Sequence, residues 1–477
     1  MPKITLAAIN AKWIHPSLAL RLLKANLKEL EPECEILEFA LRQPLNEKLE
    51  PIINSKPLIF GLSVSVWNHM ASLELLKKLH EKWAMYDRPI IVLGGPEVSF
   101  LDEKAEIFRY ANYVIRGEGE DKFRELCRSL LQKGQALEKG STAVFINNEH
   151  EKISLINTSY AYHYYSDEDL KKKHVYFESS RDCPFHCAYC QAYSSAGVRE
   201  FPIDTICSEI EKLAERGAKK IKFLDRSFNL NNDRAIYILE FLLSLLKKYD
   251  QNSMCFHFEL LPFGLSDKLK ETLSRFPENS LRLEVGIQTF NLNTAKIINR
   301  PLSASFDMKE EAENLKFLRF NTNAILHVDL IAGLPGEDML SFGNGFDKLW
   351  HILNYSDLST DNKYEIQLGI LKGLPGTAIL NLNESMCMHY SDKAPYEVLE
   401  TGAMSCREIE SLKNFARFWE LIVNRNTFPD FVYGFLPAEK NIFDKFMKLS
   451  GDLFIHFGRN WGIDRKELKF FLDTINC

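Results

Sequence analysis

The chain has 477 residues, 45% of them hydrophobic and 26% charged, with 59 lysines and arginines against 65 acidic residues and a formal net charge of −6. That length exceeds one ordinary core and implies two or three domains. The acidic balance gives no electrostatic footprint for nucleic acid, and no apolar run approaches the ~20 residues needed to span a bilayer.

Met1-Pro2-Lys3 leads directly into an apolar strand pattern, without the features of a secretory leader. A reduced cytoplasmic protein with no membrane association is the expectation. Residues 1–135 alternate strand-like and helix-like segments. Ile4–Ile9 reads as a strand and Leu18–Leu30 as a helix, then Cys34–Phe39 and Leu58–Val66 as strands. Ala71–Trp83 (helix), Pro89–Leu93 and Tyr113–Ile115 (strands) and Glu120–Leu131 (helix) follow. Such alternation predicts a doubly wound parallel sheet of Rossmann-like type, with its ligand outside the carboxyl ends of the strands. Those ends carry Asn10-Ala11, Ser65-Val66-Trp67, Gly94-Gly95-Pro96-Glu97 and Gly117-Glu118-Gly119-Glu120. No G-x-G-x-x-G opens the first helix, which disfavours a dinucleotide.

Residues 136–170 are polar and read as a linker with a short hairpin, Ala143–Ile146 and Ile153–Ile156 about Asn147-Asn148. A second series occupies 171–385. Its strands are Val175–Glu178, Lys219–Leu224, Met254–Leu261, Leu281–Ile287, Ala324–Ile331 and Lys363–Leu371, separated by helical segments. Six β/α units in one run predict a partial (β/α)6 barrel whose site lies at the carboxyl ends of its strands. Residues 386–477 read as a helical C-terminal domain rich in aromatics.

Chemistry concentrates in Arg181-Asp182-Cys183-Pro184-Phe185-His186-Cys187-Ala188-Tyr189-Cys190, which follows the first strand of the second series. Three thiolates on one loop with no fourth beside them suit a cluster of four irons that leaves one iron open. A structural zinc site wants four ligands, and no second C-x-x-C occurs. A disulfide framework does not suit ten cysteines of which seven are scattered singly through so long a chain. The later strands add a second signal. Arg282, Glu284, Gly286 and Gln288 alternate with apolar residues, as do His327 and Asp329, His257 and Glu259, and Glu365 and Gln367. Buried polar groups are costly without partners. They satisfy one another, or they line a polar ligand on the barrel axis.

The C-x3-C-x-aromatic-C spacing of Cys183, Cys187 and Cys190 resembles the signature of the radical S-adenosylmethionine (SAM) superfamily. Glu284-Val285-Gly286-Ile287-Gln288-Thr289 resembles its E-x-G-x-Q-S/T segment, and Asp329-Leu330-Ile331-Ala332-Gly333-Leu334-Pro335-Gly336 its D-x-I-x-G-L-P-G element. The segment Phe223–Asn229 resembles the second strand, with Asp225-Arg226-Ser227 where Gly-Gly-Glu is common. The resemblance implies that the three cysteines ligate a 4Fe-4S cluster whose open iron takes the amino and carboxylate groups of SAM. Reduction then cleaves SAM to a 5′-deoxyadenosyl radical. It implies that Tyr189 packs beside the cluster and adenine, that Asp225 meets the SAM amino group, and that Glu284 and Gln288 lie near ribose and methionine. Glu259, His327 and Asp329 join the expected cofactor-binding set.

A doubly wound domain ahead of such a barrel resembles the cobalamin-binding class of the superfamily, in a subgroup with a helical C-terminal domain. The implied cobalamin contacts are Asn10, Ser65, Val66, Trp67, Gly94, Gly95, Glu97, Gly117, Glu118 and Glu120. There is no D-x-H-x-x-G to offer a lower cobalt ligand, and His15 and His69 read as ordinary loop histidines. Cluster, SAM and cobalamin together imply radical methylation of an unactivated carbon, with an external electron donor and a small-molecule substrate. The alternatives are a non-methylating rearrangement or cyclisation, a methylthiotransferase, and a noncatalytic cobalamin sensor. The methylthiotransferases need three further cluster cysteines in the N-terminal domain, where only Cys34 and Cys127 occur.

Overall fold

The structure, a computed structural model, describes residues 3–83, 88–133, 143–147, 152–249, 254–354, 364–436 and 441–475. The chain divides into two compact units, Met1–Ser179 with Arg199–Lys222, and Ser180–Val198 with Phe223–Cys477.

The first unit opens with strands β1 (Ile4–Asn10), β2 (Cys34–Ala40), β3 (Ile59–Ser63), β4 (Ile90–Gly94), β5 (Tyr113–Arg116) and β6 (Val144–Asn147). They form one six-stranded sheet of order β2-β1-β3-β4-β5-β6 with parallel pairing throughout. Helices cover both faces, and each face has its own apolar core. Phe60, Leu62, Leu76 and Leu93 lie on one side, and Ile4, Leu6, Leu20, Phe123 and Cys127 on the other. Strands buried on both faces are the reason the sequence reads as continuous apolar runs there.

Two expectations need correction, and one helix joins those read from the sequence. Val144–Asn147 is not an arm of a hairpin: it pairs with β5 in parallel as the sixth strand, and Ile153–Ile156 forms no strand. Asn148 lies outside the described residues. The first helix ends at Asn26, and the backbone then tightens into a 3-10 turn over Lys28–Glu33, where Pro32 removes a donor. A helix at Leu45–Ser55, with Pro51 inside it, lies between β2 and β3.

Strands β7 (Val175–Phe177), β8 (Ser180–Arg181), β9 (Arg199–Glu200), β10 (Lys220–Phe223), β11 (Cys255–Leu260), β12 (Leu281–Gln288), β13 (Ile325–Ala332) and β14 (Tyr364–Ile370) follow. Six of these form a second sheet of order β14-β13-β12-β11-β10-β7, sequential as a singly wound barrel requires, and β14 and β7 stand at its open ends. Beyond it, β15 (His389–Tyr390) and β16 (Val398–Glu400) pair antiparallel. Helices Cys406–Trp419, Pro429–Phe435, Ile442–Phe457 and Arg465–Ile475 complete the chain. Phe415, Trp419 and Phe446 are buried there, the first two stacked and Phe446 edge-on to both, so these aromatics are core. Among the described residues no helix is long and apolar enough to cross a membrane.

Candidate functional site

In an open parallel sheet the ligand crevice lies where strand order reverses. In the first unit β1 is flanked by β2 on one side and β3 on the other, so the crevice opens at the carboxyl ends of β1 and β3. Asn10 ends β1, and the Ser65-Val66-Trp67 loop leaves β3 beside it. Asn68 binds the two ends together: its side chain accepts from the Ser65 N–H and donates to the Ile9 carbonyl, both at 2.8 Å. The Asn10 amide is turned to Glu38 at 3.0 Å.

Gly95 adopts φ +105°, and a Cβ there would stand 2.5 Å from the Val64 carbonyl oxygen, so only glycine makes this turn. The close approach lets Val64 N–H donate to Gly94 at 2.8 Å and Glu97 N–H donate to Val64 at 3.2 Å. The buried Glu97 carboxylate then meets His69 Nδ1 at 2.8 Å. Glu120 opens its helix and is buried. Glu118, at the neighbouring corner with Gly117, pairs with Arg199 and accepts from the Ile153 N–H at 2.9 Å, so it holds the chain after residue 152. In the segments that leave β1 and β3, Trp13 and Trp67 are 52% and 53% exposed and Met70 48%. Unpacked apolar surface beside a built turn fits a large planar ligand.

In the second unit the cysteine loop is held by its own backbone. Cys190 N–H donates to Cys187 at 3.0 Å, and Ser194 N–H donates to Cys183 at 3.0 Å. Ala188 donates to Ile298 and accepts from Ile379, which fixes the loop to two distant segments. Donors are aimed at sulfur: Ala192 N–H lies 3.4 Å from the Cys190 Sγ, Arg300 Nη1 lies 3.9 Å from the Cys187 Sγ, and the Ser227 hydroxyl bonds the Cys183 sulfur. Burial pushes the Cys183 and Cys187 thiols up, and these donors oppose it. Burial also raises the Tyr189 phenol, and the Arg300 charge opposes that shift. Among the described residues no three His, Cys, Asp or Glu side chains converge as one metal ion requires. Thiolates that each ligate a different iron of a cube need no such convergence, and the donor set fits a cluster.

The polar faces of the second sheet fall in register. Glu259 lies opposite Glu284, Glu284 opposite His327, and His327 opposite Glu365. Gly286, Asp329 and Gln367 form the next row. The alternate residues Phe256, Phe258, Leu283, Val285, Leu326 and Val328 are fully buried behind them. Within the face, His257 Nε2 meets Glu284 at 3.1 Å, and His327 meets Asp329 at 2.7 Å and Glu365 at 3.5 Å. Arg282 pairs with Glu365. Burial alone would lower the His327 pKa, but the bonds to Asp329 and Glu365 outweigh it and hold the imidazole up at about 10. The same partners, His327 and Arg282, carry Glu365 below the usual carboxylate range against its burial. Much of the face is thus a network of mutual bonds, and it still presents its polar edge along the barrel.

The motifs acquire physical reasons. Gly286 leaves the room into which the Gln288 amide folds back, from a backbone at φ +72°, and a Cβ there would push that amide aside. Arg300 donates to the Gly286 carbonyl and ties this strand to the cysteine loop. Thr289 donates to the buried Glu337 at 2.6 Å, which links the ends of β12 and β13; burial raises this carboxyl to about 7. Asp225, also buried, accepts from the Ser180 hydroxyl at 2.6 Å. Asn68, Arg226, Ser227, Arg300 and Glu337 make contacts with these residues and were not singled out from the sequence as site residues.

A family model described as the B12 binding domain matches residues 4–127, and one for the Radical SAM superfamily matches 177–344. A third, described as a protein of unknown function (DUF4080), matches 385–457. The cobalamin-dependent radical SAM methyltransferase TokK of Streptomyces tokunonensis is 24% identical over 371 residues, 70% of this chain and 49% of that protein. The uncharacterized methyltransferase PH0819 of Pyrococcus horikoshii is 33% identical over 165 residues, 31% of this chain and 36% of that protein. The chain thus spans about half or less of the length of these curated relatives. Among solved structures, the cobalamin-dependent SAM radical enzyme OxsB, with aqua-cobalamin and SAM bound, superposes with a TM-score of 0.61 at 15% identity, over 98% of this chain and 76% of that one. The methyltransferase TsrM of Kitasatospora setae, with tryptophan and a SAM analogue bound, gives 0.58 at 15% identity over 80% and 76%. At that identity the likeness is one of fold. The chain thus carries a B12-binding domain over residues 4–127, on the first sheet, and a radical SAM domain over residues 177–344, which holds the three-cysteine loop.

Proposed function

We propose that this protein is a cobalamin-dependent radical SAM enzyme that methylates an unactivated carbon of a small molecule, using an external electron donor. The observation that carries the reading is the pairing of an open three-thiol loop with a switch-point crevice bordered by exposed tryptophans. Bound together, a 4Fe-4S cluster, SAM and cobalamin would supply an electron, a carbon radical and a methyl carrier.

The chain's residues do the rest. Cys183, Cys187 and Cys190 hold the cluster, and Arg300, Ser227 and the Ala192 N–H stabilise negative charge on their sulfurs. Tyr189 packs beside it. Asp225, Glu259, Glu284, Gln288, His327 and Asp329 line the barrel for SAM, and the pairs His327–Asp329, His257–Glu284 and Arg226–Glu259 hold their rotamers before binding. Asn10, Ser65, Val66, Trp67, Gly94, Gly95, Glu97, Gly117, Glu118 and Glu120 form the cobalamin crevice, where Asn68 and the Gly95 turn set its edges. Several relatives are methylthiotransferases. Against that activity stand Cys34 and Cys127, which are buried in the core with thiols pushed far up by burial.

SAM with a trideuterated methyl group tests the reaction type. In the presence of a metabolite extract and reductant, methylation places the label in a new small-molecule product. Label that stays entirely in methionine while 5′-deoxyadenosine accumulates would replace methylation with rearrangement.

A further inference from the structure

Several cations of the first unit are answered by carboxylates. Arg21 pairs with Glu38 and Asp169, Lys173 with Asp169, and Arg116 with Glu103. The loop that leaves β1 is built differently. It turns back on itself, with the His15 N–H donating to the Lys12 carbonyl at 3.1 Å. It also lies along the start of β7, where the His174 N–H donates to the Ile14 carbonyl at 3.0 Å. The His15 ring stacks on that of His174 with centres 5.3 Å apart, and its Nδ1 meets the Tyr176 hydroxyl at 2.8 Å. Tyr176 stands between the buried Val175 and Phe177, and Lys222 between the buried Ile221 and Phe223. Both are half-buried on the polar faces of adjacent strands, β7 and β10.

Among the described residues the only charges that act on His15 are those of Lys12 and Lys222, which with burial lower its pKa. Lys12 is exposed and has no ion pair among the described residues. Two ammonium groups, a phenol and an imidazole thus share one corner of the first unit, in a chain whose net charge is −6. Lysines gathered at a crevice raise the local concentration of anions. The phenol and imidazole beside them add directional hydrogen bonds.

We propose that Lys12, His15, Tyr176 and Lys222 form a receptor for an oxyanion, a phosphate or carboxylate carried by the small-molecule substrate. This rests on the proposed function, which brings a small molecule to the chain. The phosphodiester of the cobalamin tail offers the same chemistry, and the experiment separates the two.

Calorimetric titration of the full-length protein with inorganic phosphate, with and without cobalamin, tests the receptor. The wild type should bind one phosphate per chain. The double variant Lys12→Gln, Lys222→Gln should bind it about tenfold to a hundredfold more weakly, with Tyr176→Phe between the two. No binding by the wild type, or equal binding by the double variant, would overturn the receptor. Cobalamin should leave phosphate binding unchanged; cobalamin that abolishes it would give the corner to the phosphodiester instead. In the trideuterated-methyl experiment the labelled product should be held by an anion-exchange resin. An uncharged labelled product would overturn the substrate assignment and leave methylation standing. Phosphate binding without any labelled product would remove methylation and leave the receptor standing.

Discussion

Replacing Cys183, Cys187 and Cys190 together with alanine leaves a folded, colourless protein that releases no 5′-deoxyadenosine from SAM. The effect is all-or-none because a cube cluster needs its thiolates and the loop carries no other cysteine. The fold survives because the loop is held by backbone bonds, from Cys190 to Cys187, Ser194 to Cys183, and Ala188 to Ile298 and Ile379, which alanine leaves in place. Only Cys187 of the three is buried, so little core volume is lost. Iron content, visible absorbance and anaerobic 5′-deoxyadenosine release check the result, with circular dichroism as the control for folding. Cleavage that persists in the triple variant would move the site elsewhere.

The second large effect falls on His327. Its ordinary pKa is 6.5, and in the fold Asp329 and Glu365 hold it at about 10. The folded chain therefore binds this proton more tightly than the unfolded chain. The stabilisation is present in full below about pH 6.5, declines above it, and is gone once the pH has risen through about 10. At roughly 1.4 kcal/mol per pKa unit, the full contribution is on the order of 3–5 kcal/mol. His327→Gln should lower stability at pH 6 by about that amount, since it leaves Asp329 without its cation and Glu365 with Arg282 alone. Denaturant unfolding from pH 6 to 10.5 separates the two proteins: the wild type loses stability across the alkaline range, and the variant starts lower and runs flatter. Parallel curves would show that the imidazole carries no charge in the fold.

What was legible in the sequence was what local spacing encodes. The C-x3-C-x-aromatic-C loop and the E-x-G-x-Q and G-L-P-G segments are contiguous, and the period-two alternation of β11 to β13 exposed their polar faces before any coordinates. The registered rows Glu259–Glu284–His327–Glu365 bear that out. What was not legible depends on distance along the chain. A parallel edge strand has no turn beside it, so Val144–Asn147 next to an Asn-Asn pair looked like half a hairpin when its partner is Tyr113–Arg116. The Leu45–Ser55 helix carries Pro51, a poor residue for a helix interior. Glu337 lies 48 residues from Thr289 and Arg300 lies 113 from Cys187, and no periodicity links such positions.

The central claim is that one chain holds both an iron–sulfur cluster and cobalamin, each in its own domain. It is tested most directly by anaerobic reconstitution with iron, sulfide and cobalamin, followed by gel filtration and measurement of iron and cobalt in the protein peak. The account predicts about four irons and one cobalt per chain eluting together. Iron in the protein peak with all of the cobalamin in the small-molecule fraction would contradict it.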